Sequence, residues 1–111
     1  MKTYRGKRIL DTHYTEVSVN NVALPLQPSL KIRNHSPTGF EWGYKGSGPS
    51  QLALAILLDC LGDKDMALKY YHKFKGAFVS KCEDSWEITE DDILKWLRIE
   101  MKSEYTSQER M

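Results

Sequence analysis

Between Leu52 and Leu61 every side chain but Asp59 is apolar or a cysteine. A run this uniformly greasy, without strand-like alternation, predicts a helix enclosed on nearly all sides. Its start is set near Gly48-Pro49, because proline suits the first helical position, where its missing N–H would have no partner. Gln51 stands two residues later, within reach of the exposed amides of that first turn. Gly62 closes the helix and Asp63 caps the next. The second helix is predicted from Lys64 to Lys81. Ala67, Tyr70 or Tyr71, Phe74, Ala77 and Phe78 recur at helical spacing, and Lys64, Lys69, Lys73 and Lys75 take the wet side. Gly76 weakens it by roughly 1 kcal/mol relative to alanine and is expected to mark close packing against a neighbour. A third helix opens at Thr89, with Glu90, Asp91 and Asp92 placing negative charge where the helix dipole favours it. Its apolar stripe is Ile93, Leu94, Trp96, Leu97 and Met101. "YTSQERM" after Glu104 has no periodicity, so residues 105–111 are expected to fray.

The pattern upstream has a period of two. "KTYRGKRI" and "YTEVSV" read as strands, with Val17 and Val19 on one face. Asn20-Asn21 tolerates left-handed backbone angles and supplies a two-residue turn before "VALPL". Pro25 and Pro28 confine their segment to a sheet edge or loop. "SLKIR" reads as a further strand, with Leu30 and Ile32 pointing one way and Lys31 and Arg33 the other. "EDSWEIT" reads as a connector whose Trp86 and Ile88 cover the edge of the core. The expected fold class is α+β: a small N-terminal antiparallel sheet of three or four strands, then three helices packed on one face. Residues 1–104 form one domain on this reading.

Composition narrows the function classes. With 41% hydrophobic and 28% charged residues in 111, the chain has the make-up of one globular domain. Net charge is +1, far from the basic footprint of nucleic-acid binders. The charge is uneven, with six Lys/Arg against two Asp/Glu in residues 1–40 and ten against thirteen in residues 41–111. Arg5, Lys7, Lys31 and Arg33 are therefore expected to make a basic sheet face. No apolar run approaches the roughly 20 residues needed to span a bilayer, and "MKTYRGKRIL" lacks the apolar segment of a secretory signal. The expected compartment is the cytoplasm, without a membrane partner. Cys60 and Cys82 have no metal-ligand spacing and are expected to be free thiols. No cofactor motif is present, and a metal centre would need the three histidines to converge from separate segments. His13 falls in a loop or strand end, and His72 on the second helix.

The candidate chemistry lies in "HSPTGFEWGYKGSGPSQ", residues 35–51. Four glycines, three aromatics, His35 and Glu41 immediately precede the apolar helix. A helix start presents unpaired amides and about half a positive charge, which suits an anion. On this reading Gly46, Ser47, Gly48, Ser50 and Gln51 bind an anion or the phosphates of a nucleotide, and Trp42 and Tyr44 stack on its organic part. The alternative is a tight strand-to-helix connection whose rings seal the core. A catalytic reading takes His35 as general base and Glu41 as its carboxylate partner in a small hydrolase.

The stretch "GFEWGYKGSGPSQLALAILLD", with Tyr70, Tyr71 and Phe74, then Asp92-Ile93 and Trp96-Leu97, resembles a family of small uncharacterised bacterial, archaeal and phage proteins. These share a GFEWGYxGSGPxQLALAIL core. The resemblance runs from about Leu24 to Leu97, with "YRGKR" similar to the opening strand. It implies a phage or mobile-element setting and brings no activity or catalytic residues. The expected function is a non-catalytic binding protein. The alternatives are a protein-interaction module, such as an inhibitor of a host or defence protein, using the aromatic connector and the basic sheet face, and the His35/Glu41 hydrolase.

Overall fold

The computed structural model describes residues 1–12 and 14–109, with side chains up to Glu104; His13, Arg110 and Met111 lie outside the described residues. The elements run β1 (Thr3–Arg8), β2 (Thr15–Val19), β3 (Val22–Ala23), α1 (Gln27–Ile32), α2 (Ser47–Leu61), α3 (Lys64–Ala77), a 3-10 turn (Val79–Lys81), β4 (Ser85–Thr89) and α4 (Glu90–Glu109). The fold is α+β, with four antiparallel strands in the order β3-β2-β1-β4. Helical backbone continues past Glu104, through part of the stretch expected as a tail.

Strand alternation sorts the sheet's two faces. Tyr4 and Gly6 of β1, Val17 of β2, and Trp86 and Ile88 of β4 turn inward and are buried, while Arg5, Lys7, Glu16 and Glu87 turn outward. Asn20 and Asn21 both take positive φ, 50° and 68°. This is the twist that a two-residue hairpin between Val19 and Val22 requires.

The structure corrects several expectations. "SLKIR" is not a strand: its first four residues lie in α1 and Arg33 follows as the C-cap. Pro28 presets the helical φ in the opening turn, and Ser29 is fully buried with its hydroxyl on the Leu26 carbonyl. "SWEIT" is not a connector but β4, which fills the place beside β1 and contributes Trp86 and Ile88 to the core. A cap at Asp63 and the left-handed Gly62 are as the sequence indicated, but α3 stops at Ala77 and a 3-10 turn takes over. Gly76 faces open space, so it marks no close packing. Of the apolar stripe of α4, Ile93 and Leu97 are buried in the core, Trp96 packs against it beside Phe74, and Met101 is exposed. The basic sheet face is absent. Arg5 pairs with Glu87 at 2.6 Å, Lys7 stands opposite Glu16, and Lys31 and Arg33 are not in the sheet at all.

The core is built on α2, whose side chains from Gln51 to Leu57 are all buried. Helix α3 packs along it, and α1 lies against its N-terminal half. From the sheet, Tyr4 donates its hydroxyl to Asp59 at 2.6 Å, and Lys2 reaches the same carboxylate at 3.2 Å. The one strongly polar side chain of the apolar run is thereby matched. Thr89 and Asp92 cap the start of α4 reciprocally, Thr89 Oγ1 accepting from the Asp92 amide at 3.1 Å.

Gly6 is the tightest point. It faces Trp86 across the β1–β4 pair, and a Cβ at this position would stand 2.1 Å from the indole nitrogen. The indole fills the space a side chain would take. Gly6→Ala is therefore expected to destabilise the fold by about 2 kcal/mol, the scale of overpacking in a filled core. Urea unfolding checks this, and Gly6→Ala combined with Trp86→Leu should recover much of the loss.

Candidate functional site

Helix α2 begins at Ser47 behind an extended Gly46 whose N-cap position lacks a side-chain bond. No described group accepts from the amides of Ser47 and Gly48. They belong to the four N–H groups that any helix leaves without an internal partner. Ser47 is exposed, and beside it opens a groove of about 800 Å³ between β2, residues 36–41 and the helix start. Its hydroxyl-bearing walls include Thr15, Ser36, Thr38, Tyr44 and Ser47. Two exposed rings flank it, Tyr14 at 76% and Tyr44 at 51% relative exposure. Glu16 and Glu41 are its charged lining, and no Lys or Arg among the described residues lines it.

The glycines of this stretch have local causes. Gly39 and Gly43 take φ of 146° and 87°, where other residues are strained. A Cβ at Gly46 would meet the Tyr44 ring at 2.6 Å, and one at Gly48 would meet Glu41 Cβ at 2.6 Å. Tyr44 is thus laid across the helix start, and the Glu41 backbone is drawn against it.

The residues expected to bind a ligand divide into two sets. Tyr44, Ser47 and Gly48 line the groove, with Gly46 beneath the Tyr44 ring. Trp42, Ser50 and Gln51 are committed inside the protein. Trp42 is fully buried, donates Nε1–H to the Glu83 carbonyl at 2.6 Å and stands edge-on to Trp86. The Arg8 guanidinium lies 4.9 Å from its ring centroid. A stacking role for this indole would require opening the core. Ser50 donates to the Gly46 carbonyl and accepts from Lys75 Nζ. Gln51 is fully buried and spends its whole amide on neighbouring segments. Its oxygen accepts from the amides of His35 and Ser36 at 2.7 and 3.0 Å, and its nitrogen donates to Ser29 Oγ and the Arg33 carbonyl at 2.9 and 3.1 Å.

His35 and Glu41 belong to separate networks. His35 Nε2 shares a hydrogen bond of 2.8 Å with the Tyr71 hydroxyl, and its ring stands edge-on to His72. Glu41 pairs with Arg8, which also binds Asp84 and the Trp42 carbonyl. The acid/base pair of the hydrolase reading is not assembled. Burial first, and then the surrounding cations, hold both His35 and His72 below the ordinary histidine range. Cys60 and Cys82 are free, and burial pushes each thiol up to about 11, away from nucleophilic use. No helix among the described residues is long and apolar enough to cross a membrane.

A family model described as a family of unknown function (DUF6166) matches residues 4–99, from β1 through the first half of α4. The chain belongs to this family. Membership brings a shared domain whose description names no function. No curated protein and no solved structure matches the chain. The groove therefore has to be read from its own chemistry. Sequence reasoning missed its far wall, β2, because strand and connector approach only in the fold. The bond from Thr15 Oγ1 to the Phe40 carbonyl, 3.0 Å, spans 25 positions.

Two outcomes follow from this geometry. Gln51→Leu leaves four partners, three of them buried or half-buried, without their bonds, and should cost about 3 kcal/mol. Thermal unfolding measures the loss, and hydrogen exchange at the His35 and Ser36 amides should quicken with it. The second outcome concerns pH. With both histidines depressed in the folded state, the unfolded chain binds more protons near and below about pH 6.5. Their contribution to stability is present above that pH and declines as pH falls through the folded-state values. Unfolding midpoints measured between about pH 7.5 and 5 should fall, and fall less in His35→Gln/His72→Gln.

Proposed function

We propose that the protein is a non-catalytic binding protein whose ligand occupies the groove at the start of α2. One observation carries this reading: a concavity of about 800 Å³ opens onto Ser47 and Gly48, whose amides have no described acceptor. The volume falls within the range of small-molecule sites. The amides and hydroxyls offer donors, and Tyr14 and Tyr44 offer apolar surface for an organic body.

Charge narrows the ligand. The helix start supplies about half a positive charge, while Glu16 and Glu41 face the same space. Glu41 is neutralised by Arg8, but Glu16 has no described ion pair. A di- or triphosphate would bring several negative charges to a groove without a lysine or arginine. A neutral or singly charged molecule rich in acceptor oxygens, such as a nucleoside, sugar or monocarboxylate, fits better than a nucleotide. The exposed tyrosines also favour a second reading, a protein partner such as a host or defence protein seated on the same rim, since aromatic side chains dominate such contacts. A phage or mobile-element setting and a cytoplasmic place of action belong to this proposal and rest on sequence features.

The test is a thermal-shift and calorimetric screen of nucleosides, sugars, carboxylates and nucleotides. A true ligand at about 100 times its Kd adds about 2.7 kcal/mol of stability. Thr38→Trp, which fills the groove from an exposed position, should abolish binding without lowering the melting temperature. Binding that survives Thr38→Trp would place the ligand elsewhere, and a screen without any stabilising compound would sink the small-molecule reading.

A further inference from the structure

Lys2, Arg5, Arg8, Lys69 and Lys73 are each paired with a carboxylate. Arg33 and Lys75 form no ion pair among the described residues, yet both act on the same place. Around it stand His35, on the segment after α1, and His72, on α3, with ring centroids 6.1 Å apart. The exposed His72 ring lies over Tyr71 at 4.1 Å, and the Tyr71 hydroxyl holds His35 Nε2 at 2.8 Å.

These groups are held in position. The Gln51 amide binds the His35 nitrogen and the Arg33 carbonyl, fixing the loop that carries both side chains. The buried Ser50 hydroxyl accepts from Lys75 Nζ at 3.0 Å, drawing the ammonium toward the first turn of α2. The last turn of α1 carries Lys31, that of α3 carries Lys75, and the first turn of α2 carries no acidic residue. Every charge acting on the two imidazoles is positive. Two permanent cations and two imidazoles share this place without an acid among them, so protonating either ring is disfavoured until an anion joins them.

We propose that Arg33, His35, His72 and Lys75 form a binding site for a phosphate-type oxyanion, on the face of α3 turned toward the start of α2. A guanidinium and an ammonium provide the fixed charge, and the two imidazoles add donors as the anion arrives. Phosphate binding therefore takes up protons and strengthens as pH falls toward about 6. This site goes beyond the groove reading and stands independently of it. The groove has the neutral donors and the carboxylates, and this cluster has the cations.

Titration with inorganic phosphate, followed by the imidazole C–H resonances of His35 and His72, tests the proposal. The expected result is saturable movement of both sets of signals, with both histidine titrations displaced to higher pH. Sodium chloride at matched ionic strength should reproduce neither effect. Arg33→Gln and Lys75→Gln should each weaken binding by about tenfold, the scale of one charge-assisted hydrogen bond. Lys75→Gln keeps a donor for Ser50, melting curves verify the fold of each variant, and Arg33→Gln touches no buried contact. Lys95→Gln, on the exposed side of α4, should bind as wild type, and so should Thr38→Trp. Shifts that never saturate, an Arg33→Gln/Lys75→Gln variant that binds normally, or loss of phosphate binding in Thr38→Trp would each overturn the proposal.

Discussion

A single buried amide organises the centre of this molecule. Helix α2 is apolar on nearly every side, so packing alone would leave its rotation and its neighbours weakly specified. Gln51 removes that freedom. Two acceptor bonds hold the amides of His35 and Ser36, and two donor bonds hold Ser29 and the Arg33 carbonyl. Four groups on α1 and its following loop are thereby referred to one point on α2. In a low-dielectric interior such a network is strong when complete and costly when one member is missing. The groove wall that begins at Ser36 and the cationic face that begins at Arg33 are both set from this residue.

The same economy shows in the glycine-aromatic stretch. A run that reads in sequence as one ligand loop has two physical sides. Trp42 enters the core and clamps β4 through Trp86 and the Glu83 carbonyl. Tyr44, two residues on, stays outside and lies on Gly46. Strict alternation would put both rings on one face, and the turn at Gly43, with φ of 87°, separates them. Arg8 closes the arrangement from the sheet, binding Glu41, Asp84 and the Trp42 carbonyl around the indole it also covers. This guanidinium is one reason the N-terminal excess of basic residues makes no basic surface: part of it is spent inside.

What could be read from the sequence depended on distance along the chain. Caps and turns were legible because their chemistry is local. Asp63 caps Met66, Thr89 and Asp92 box the start of α4, and Asn20-Asn21 turns the hairpin. The uniform burial of α2 followed from its composition. "SLKIR" deceived because five residues fit a period of two and a single helical turn almost equally well, and Pro28 decided for the helix. "SWEIT" shows the alternation of a strand, but its partner Arg5 lies 82 positions from Glu87. The candidate site was half legible: the helix start and Tyr44 were visible, whereas the convergence of His35 with Tyr71 and His72 spans 36 positions and leaves no mark in either segment.

The order of the strands has a consequence for synthesis. The inner strand β1 bonds on one side to its hairpin neighbour and on the other to β4, beyond three helices. As the chain leaves the ribosome, the first hairpin must therefore wait with one edge bare while about 65 residues emerge between Val19 and Ser85. Until β4 arrives, Gly6 offers an uncovered backbone and Tyr4 a naked ring, the conditions under which nascent chains stick to one another. Trp86 docking on Gly6 ends that exposure, so the indole serves as the latch that completes folding as well as a brick of the finished core.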